Sequence, residues 1–260
     1  MALTDASARH PALWRDGWYR FATRLPSPNF GARPPNLPVD LIVLHCISLP
    51  PGHYRGCAVQ QLFTNQLDWN AHPWFQNICG LAVSAHFYIR RTGELWQFVS
   101  GDDRAWHAGV SCYLGRSNCN DNSIGIELEG LPGGSFEAEQ YDTLNALCAV
   151  LMQHYPIAHI AGHEHIAPGR KTDPGTGFDW RRLQDGLALW PECLPHSQLL
   201  HGRRLGGKCD LRQSSQASSL HDSDHGLVPG TGIGVDDHHR VFAGPGAAAH
   251  GCGQVDRSAP

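Results

Sequence analysis

The apolar and polar positions along the chain divide it into a patterned part and an unpatterned one. Leu41-Ile42-Val43-Leu44 is an unbroken apolar run that ends at His45, as expected of a central strand buried on both faces. Ser48 to Gly52, with two prolines, breaks it, and Val59, Leu62, Phe63 and Leu67 then recur at helical spacing. Ala85 to Arg90 and Glu94 to Val99 read as strands, with Arg91-Thr92-Gly93 turning one into the other as a hairpin. Ser123 to Glu129 alternates cleanly: Ile124, Ile126 and Leu128 share one face, and Gly125, Glu127 and Glu129 share the other. The first face belongs to the core, which leaves Glu127 facing a groove or solvent.

Ser135 is placed to cap a helix whose first turn holds Glu137 and Glu139, a favourable end for acidic groups. Leu144, Leu147, Cys148, Leu151 and Tyr155 form its buried stripe, and Pro156 stops it. A last helix is expected over Phe178 to Leu189, burying Trp180, Leu183 and Leu187. Before the first strand, residues 1–15 read as a flexible lead, Trp18, Tyr19 and Phe21 as an aromatic start, and Pro26 to Pro38 as an extended surface segment. Strands and helices mix, and a hairpin stands beside crossovers. The expectation is one α/β domain over residues 16–194, with a mixed central β-sheet flanked by helices. Residues 195–260 are rich in Gly, Ser, His and Asp and show no period, so they read as a disordered tail unable to offset its own ordering entropy.

Charge and composition narrow the partners. With 20 Lys and Arg against 24 Asp and Glu, the net charge of −4 gives no footprint for nucleic acid or an anionic membrane. No apolar run approaches the ~20 residues of a membrane-spanning helix. Met1 to Arg20 lacks the apolar core and small-residue cleavage site of a signal peptide. Nine cysteines without a C-x-x-C pair fit reduced thiols in the cytoplasm.

Candidate chemistry gathers at Gly162 to Pro174, G-H-E-H-I-A-P-G-R-K-T-D-P. Ile157 to Ile160 leads into it, so His163 and His165 are expected at a strand end, facing the same way. Pro168-Gly169 then turns the chain and carries Lys171 and Asp173 back. If the sheet brings the strand ends together, His45, His163 and Asp173 supply three ligands and leave a fourth zinc position open for water, the pattern of a catalytic site. Glu127 would take a proton and Lys171 would stabilise an oxyanion. Each residue is equally compatible with a plainer role: a hydrogen-bonded core histidine, a solvated carboxylate, a polar surface turn.

Five ordered blocks resolve that choice. L-H-C-I-S-L-P-P-G (Leu44–Gly52), S-A-H-F-Y-I (Ser84–Ile89), R-A-W-H-A-G-V-S (Arg104–Ser111), C-N-D-N-S-I-G-I-E-L-E-G (Cys119–Gly130) and G-H-E-H-I-A-P-G-R-K-T-D-P-G (Gly162–Gly175) resemble the zinc-dependent N-acetylmuramoyl-L-alanine amidases. The likeness runs from about Gly17 to Trp180 and is strongest to the branch acting on 1,6-anhydro-muramyl peptides in cell-wall recycling. It implies zinc (Zn2+) on His45, His163 and Asp173, catalytic assistance from Glu127 and Lys171, and a muropeptide substrate met by Trp106, His107 and Arg116. It further implies a monomeric cytoplasmic enzyme cleaving the lactyl–L-alanine amide. A lysin-like or envelope enzyme acting on intact peptidoglycan and a non-catalytic muropeptide-binding module are the alternatives. Three departures stand out: Cys46 replaces the family's usual Asn, His165 its common Asp, and substrate-gripping arginines are missing near Ala82 and Asn118.

Overall fold

The computed structural model describes residues 13–189 and 191–194. Its centre is a six-stranded mixed sheet. In chain order the strands are β1 (Thr23–Arg24), β2 (Leu41–Ile47), β3 (Phe87–Ile89), β4 (Leu95–Gln97), β5 (Ser123–Glu129) and β6 (His159–Gly162). They lie side by side in the order β6-β2-β5-β3-β4-β1. The β6, β2, β5 and β3 neighbours are parallel, and β3 to β4 is the antiparallel hairpin expected across Arg91–Gly93. Gly93 sits there at φ 79°, a left-handed conformation that favours glycine. The expected mixed α/β domain is therefore observed.

Four α-helices accompany the sheet among the described residues: α1 (Ala58–Phe63), α2 (Ala138–His154), α3 (His163–Ile166) and α4 (Trp180–Leu187). One sheet face, with Ile42, Leu44, Ile124, Ile126, Leu128 and Ile160, packs on Leu144, Leu147, Cys148 and Leu151 of α2 and on Leu183 of α4. Truncating one of these fully buried leucines to alanine would cost about 2–5 kcal/mol. The opposite face carries two separate apolar clusters. Leu41, Val43, Ala108, Tyr113, Ala161 and Ile166 form one; Val59, Leu62 and Phe63 of α1 with Phe75, Tyr88 and Phe98 form the other. His45 and Glu127 project from this second face, because the side-chain period of a strand sets them with Val43 and Gly125.

Several local expectations change. Helix α2 starts later than the Ser135 cap implied: Glu137 is its N-cap, and the Gln140 side chain accepts the Glu137 N–H at 3.0 Å. Gln140 also donates to Ile89 O and Glu129 O, tying the helix start to two strand ends. Tyr155 is only partly buried, and its hydroxyl donates to Asp102 at 2.8 Å. The Pro26–Pro38 segment is not merely superficial. Ser27 and Asn29 are buried, and Arg33 plunges inward to donate to the carbonyls of Gly101, Asn120, Asp121 and Ser123. Burial lowers this guanidinium to about 10, still charged at neutral pH. Among the described residues, Cys46, Cys79, Cys119, Cys148 and Cys193 are free thiols, whereas Cys112 is disulfide-bonded, which departs from the all-reduced expectation. The flexible lead expected over residues 1–15 ends sooner: Trp14–Arg15 pairs with Trp18–Tyr19 and Trp14 is buried in the core, while residues 1–12 and the tail expected at 195–260 lie outside the described residues.

Candidate metal centre

Parallel pairing assembles the centre. In β5 and β2, Glu127 is directly opposite His45, so the two side chains stand next to each other on one face. Gly162 of β6 pairs with Leu44, which sets His163, the next residue, just past the same sheet end. Open α/β sheets carry their sites at the carboxyl ends of such strands. The chain then turns at Gly169 (φ 78°), and Glu164 N–H donates to Asp173 O at 2.9 Å, bringing the aspartate back over the strand end.

Three ligand atoms converge. His45 Nδ1 lies 2.9 Å from His163 Nδ1 and 3.2 Å from Asp173 Oδ2, and His163 Nδ1 lies 3.2 Å from the same oxygen. All three residues are buried. Each imidazole has its far nitrogen occupied: His45 Nε2 is 2.9 Å from His107 Nδ1, and His163 Nε2 is 3.0 Å from Ala108 O. A carbonyl can only accept, so His163 carries its proton on Nε2 and turns a lone pair on Nδ1 towards the cluster. Two imidazole lone pairs and a carboxylate aimed at one point are donors without a proton between them. That is the chemistry of a divalent-metal site of the zinc type.

The surrounding electrostatics agree. Burial, together with the neighbouring His163, lowers His45 to about 4, so the ring is neutral at physiological pH. Burial works against a charge on Asp173, but the side chains of His163 and His45 that face it outweigh this and hold the carboxyl well below its ordinary range. Glu127 goes the other way: burial and the charge of Asp173 raise it well above the usual carboxylate value, with Lys171 opposing. Its Oε2 is buried without a hydrogen-bond partner among the described residues. A carboxyl with raised proton affinity thus stands beside the cluster.

Other expected site residues are distributed unevenly. Lys171 is exposed, yet its charge reaches both His45 and Glu127. Trp106 is half-buried beside His107, and its backbone pairs with Ser84. His107 is turned inward against His45. Arg116 is not brought to the cluster; it clasps Asp40 at 2.8 and 2.9 Å, before the start of β2 and so at the far end of the strand. His163 and His165 do not face the same way. The strand stops at Gly162, and in the helical turn α3 residues two apart point to nearly opposite sides. His165 Nδ1 accepts the Gly162 N–H at 2.8 Å and its ring lies 5.3 Å from that of Trp180, outside the ligand set.

Two groups escaped the sequence reading. Arg170 donates to Ala108 O (2.7 Å) and Val110 O (2.6 Å), buttressing the carbonyl that orients His163. Asn120 accepts the N–H groups of His107 and Ala108 through one oxygen. A polar residue just before a buried strand was the only signal for Asn120, and it is a weak one.

Comparison with known proteins gives this geometry a context. Residues 35–176 match the family model described as N-acetylmuramoyl-L-alanine amidase. The chain is 50% identical over 174 residues to 1,6-anhydro-N-acetylmuramyl-L-alanine amidase AmpD of Citrobacter freundii, covering 66% of this chain and 93% of that one. To N-acetylmuramoyl-L-alanine amidase AmiD of Escherichia coli (strain K12) it is 36% identical over 140 residues, 46% of this chain and 51% of the other. The crystal structure of a selenomethionine derivative of AmpD superposes with a TM-score of 0.65 at 50% identity, over 67% of this chain and 99% of that one.

Proposed function

The chain belongs to the N-acetylmuramoyl-L-alanine amidase family, and from that membership we propose how its own residues divide the work. It is an amidase acting on anhydro-muramyl peptides, as the near-complete coverage and 50% identity to AmpD support. The bond cleaved joins the lactyl group of muramic acid to L-alanine. The observation that carries the assignment of roles is the meeting of His45 Nδ1, His163 Nδ1 and Asp173 Oδ2 beside Glu127, whose Oε2 is buried and unpartnered among the described residues.

His45, His163 and Asp173 hold a zinc ion, whose chemistry when bound is to acidify a water and polarise the amide carbonyl. Glu127 accepts the proton of the attacking water on its free Oε2 and delivers it to the departing L-alanine nitrogen. A carboxyl kept protonated at unusually high pH is suited to that second role. The exposed ammonium of Lys171 balances negative charge developing on the carbonyl oxygen. Trp106 is available as a wall for the sugar or peptide. The work is done by a monomer in the cytoplasm, on recycled fragments rather than on the intact wall.

The test is hydrolysis of purified anhydro-muropeptides against hydrolysis of intact sacculi, followed by separation of the released peptide. Release from the small anhydro substrate with little from sacculi is expected. Efficient cleavage of sacculi and none of the anhydro-muropeptide would overturn the substrate assignment.

A further inference from the structure

Behind the ligand cluster runs a chain of hydrogen bonds whose direction can be read from one end. Ser123, fully buried at the first position of β5, donates its hydroxyl proton to Cys119 O, an acceptor only. Its oxygen is thereby left to accept, and His107 Nε2 lies 3.2 Å from it. His107 must then carry its proton on Nε2 and present a bare Nδ1. That nitrogen is 2.9 Å from His45 Nε2, so His45 also carries its proton on Nε2 and turns the lone pair of Nδ1 to the cluster. Every bond points the same way, from His45 to the Cys119 carbonyl.

The surroundings are shaped to keep the middle ring in place. Gly125 lies beside it in β5, and a Cβ there would come within 2.4 Å of the His107 ring. Asn120 accepts the N–H groups of His107 and Ala108 at 3.0 and 2.8 Å, fixing the backbone that carries the ring. His86, at ring-centroid distance 5.7 Å, is turned the other way: its Nδ1 accepts Gly125 N–H and its Nε2 faces Asp103 O. It therefore offers His107 no competing bond.

We propose that His107 is a positioning residue, held by Ser123, that sets the tautomer and tilt of His45 so that its Nδ1 is presented as a metal donor. This rests on the zinc reading above and reassigns His107 from substrate contact to ligand support. Partners of this kind affect metal affinity by ~10–100-fold when removed.

Two measurements test it. In long-range proton–nitrogen NMR spectra of the metal-free wild-type protein, His45 and His107 should both appear as Nε2–H tautomers; a proton on Nδ1 of either ring overturns the proposal whether or not zinc binds. Zinc affinity by chelator competition is the second. His107→Phe keeps a ring in the space beside Gly125 but cannot accept, and should bind zinc ~10–100-fold more weakly. His107→Gln, whose amide oxygen can accept from His45, should recover most of that loss. Phe and wild-type proteins binding within twofold of each other would refute the proposal while leaving the zinc site standing. Failure of the wild type to bind would instead strike the zinc reading, with the tautomer spectra still deciding the hydrogen-bond chain.

Discussion

Replacing Glu129 is informative because it shares a strand face with Glu127 and plays a different part. Its carboxylate is 3% exposed and both oxygens are engaged, Oε1 by Arg55 N–H at 2.7 Å and Oε2 by Arg91 N–H at 3.0 Å. It therefore clamps the loop after β2 and the hairpin turn after β3 to the end of β5. Glu129→Ala strands two backbone donors, each costing about 1–3 kcal/mol if it stays dry. Arg55 is exposed and Arg91 half-buried, so water can reach part of the gap. A net loss of roughly 2–4 kcal/mol is expected, which for a domain of this size lowers Tm by about 4–16 °C. Glu129→Gln, able to accept with one oxygen only, should fall between. The assay is thermal unfolding alongside zinc content and anhydro-muropeptide hydrolysis at a temperature well below either transition. Zinc should be retained and most activity kept. A Tm within about 2 °C of wild type would refute the clamp.

Glu127→Gln should retain zinc and fold normally while kcat drops by about 10²–10⁴-fold, measured on anhydro-muropeptide under saturating substrate. The same substitution has a pH signature in metal-free protein. A carboxyl raised in the folded state binds more protons folded than unfolded, so stability falls as pH climbs from the ordinary 4.5 towards the raised value. Chemical denaturation should show the stability of Glu127→Gln relative to wild type increasing over that range, and a constant difference would contradict it. His45 acts oppositely: with its folded value lowered to about 4, neutral-ring stability is lost as pH falls from 6.5 to 4. His45→Asn in metal-free protein should flatten that part of the stability curve. Arg116→Ala, breaking a half-exposed ion pair with Asp40, should cost under about 1 kcal/mol and leave kcat/KM unchanged.

The strands and the main helix were legible because their apolar periods are strong. The Leu41–Leu44 run and the Ser123–Glu129 alternation each correspond to a seven-residue strand. Alternation misled on one point. It marks Gly125, Glu127 and Glu129 as a polar face, whereas that face is covered too, by His107 over Gly125 and by two loops over Glu129. Pattern reports polarity, and a buried carboxylate with two donors has the same pattern as a solvated one. The grouping of His45 with His163 and Asp173 was expected from the ordered motifs, since residues of two distant segments meet only by long-range pairing. The strand-end reading of His165 failed because a four-residue helical turn is too short to leave a period. Arg116 was chosen for charge alone, and charge does not say at which end of a strand a side chain lies.

Zinc content of wild-type, His45→Ala and Asp173→Ala proteins, with amidase activity measured on the same samples, bears most directly on the claim that these side chains build the centre. About one zinc per wild-type chain is expected from a three-ligand site with one open position. Both variants should lose the zinc and the activity together. Full zinc retention with wild-type activity in His45→Ala would contradict it.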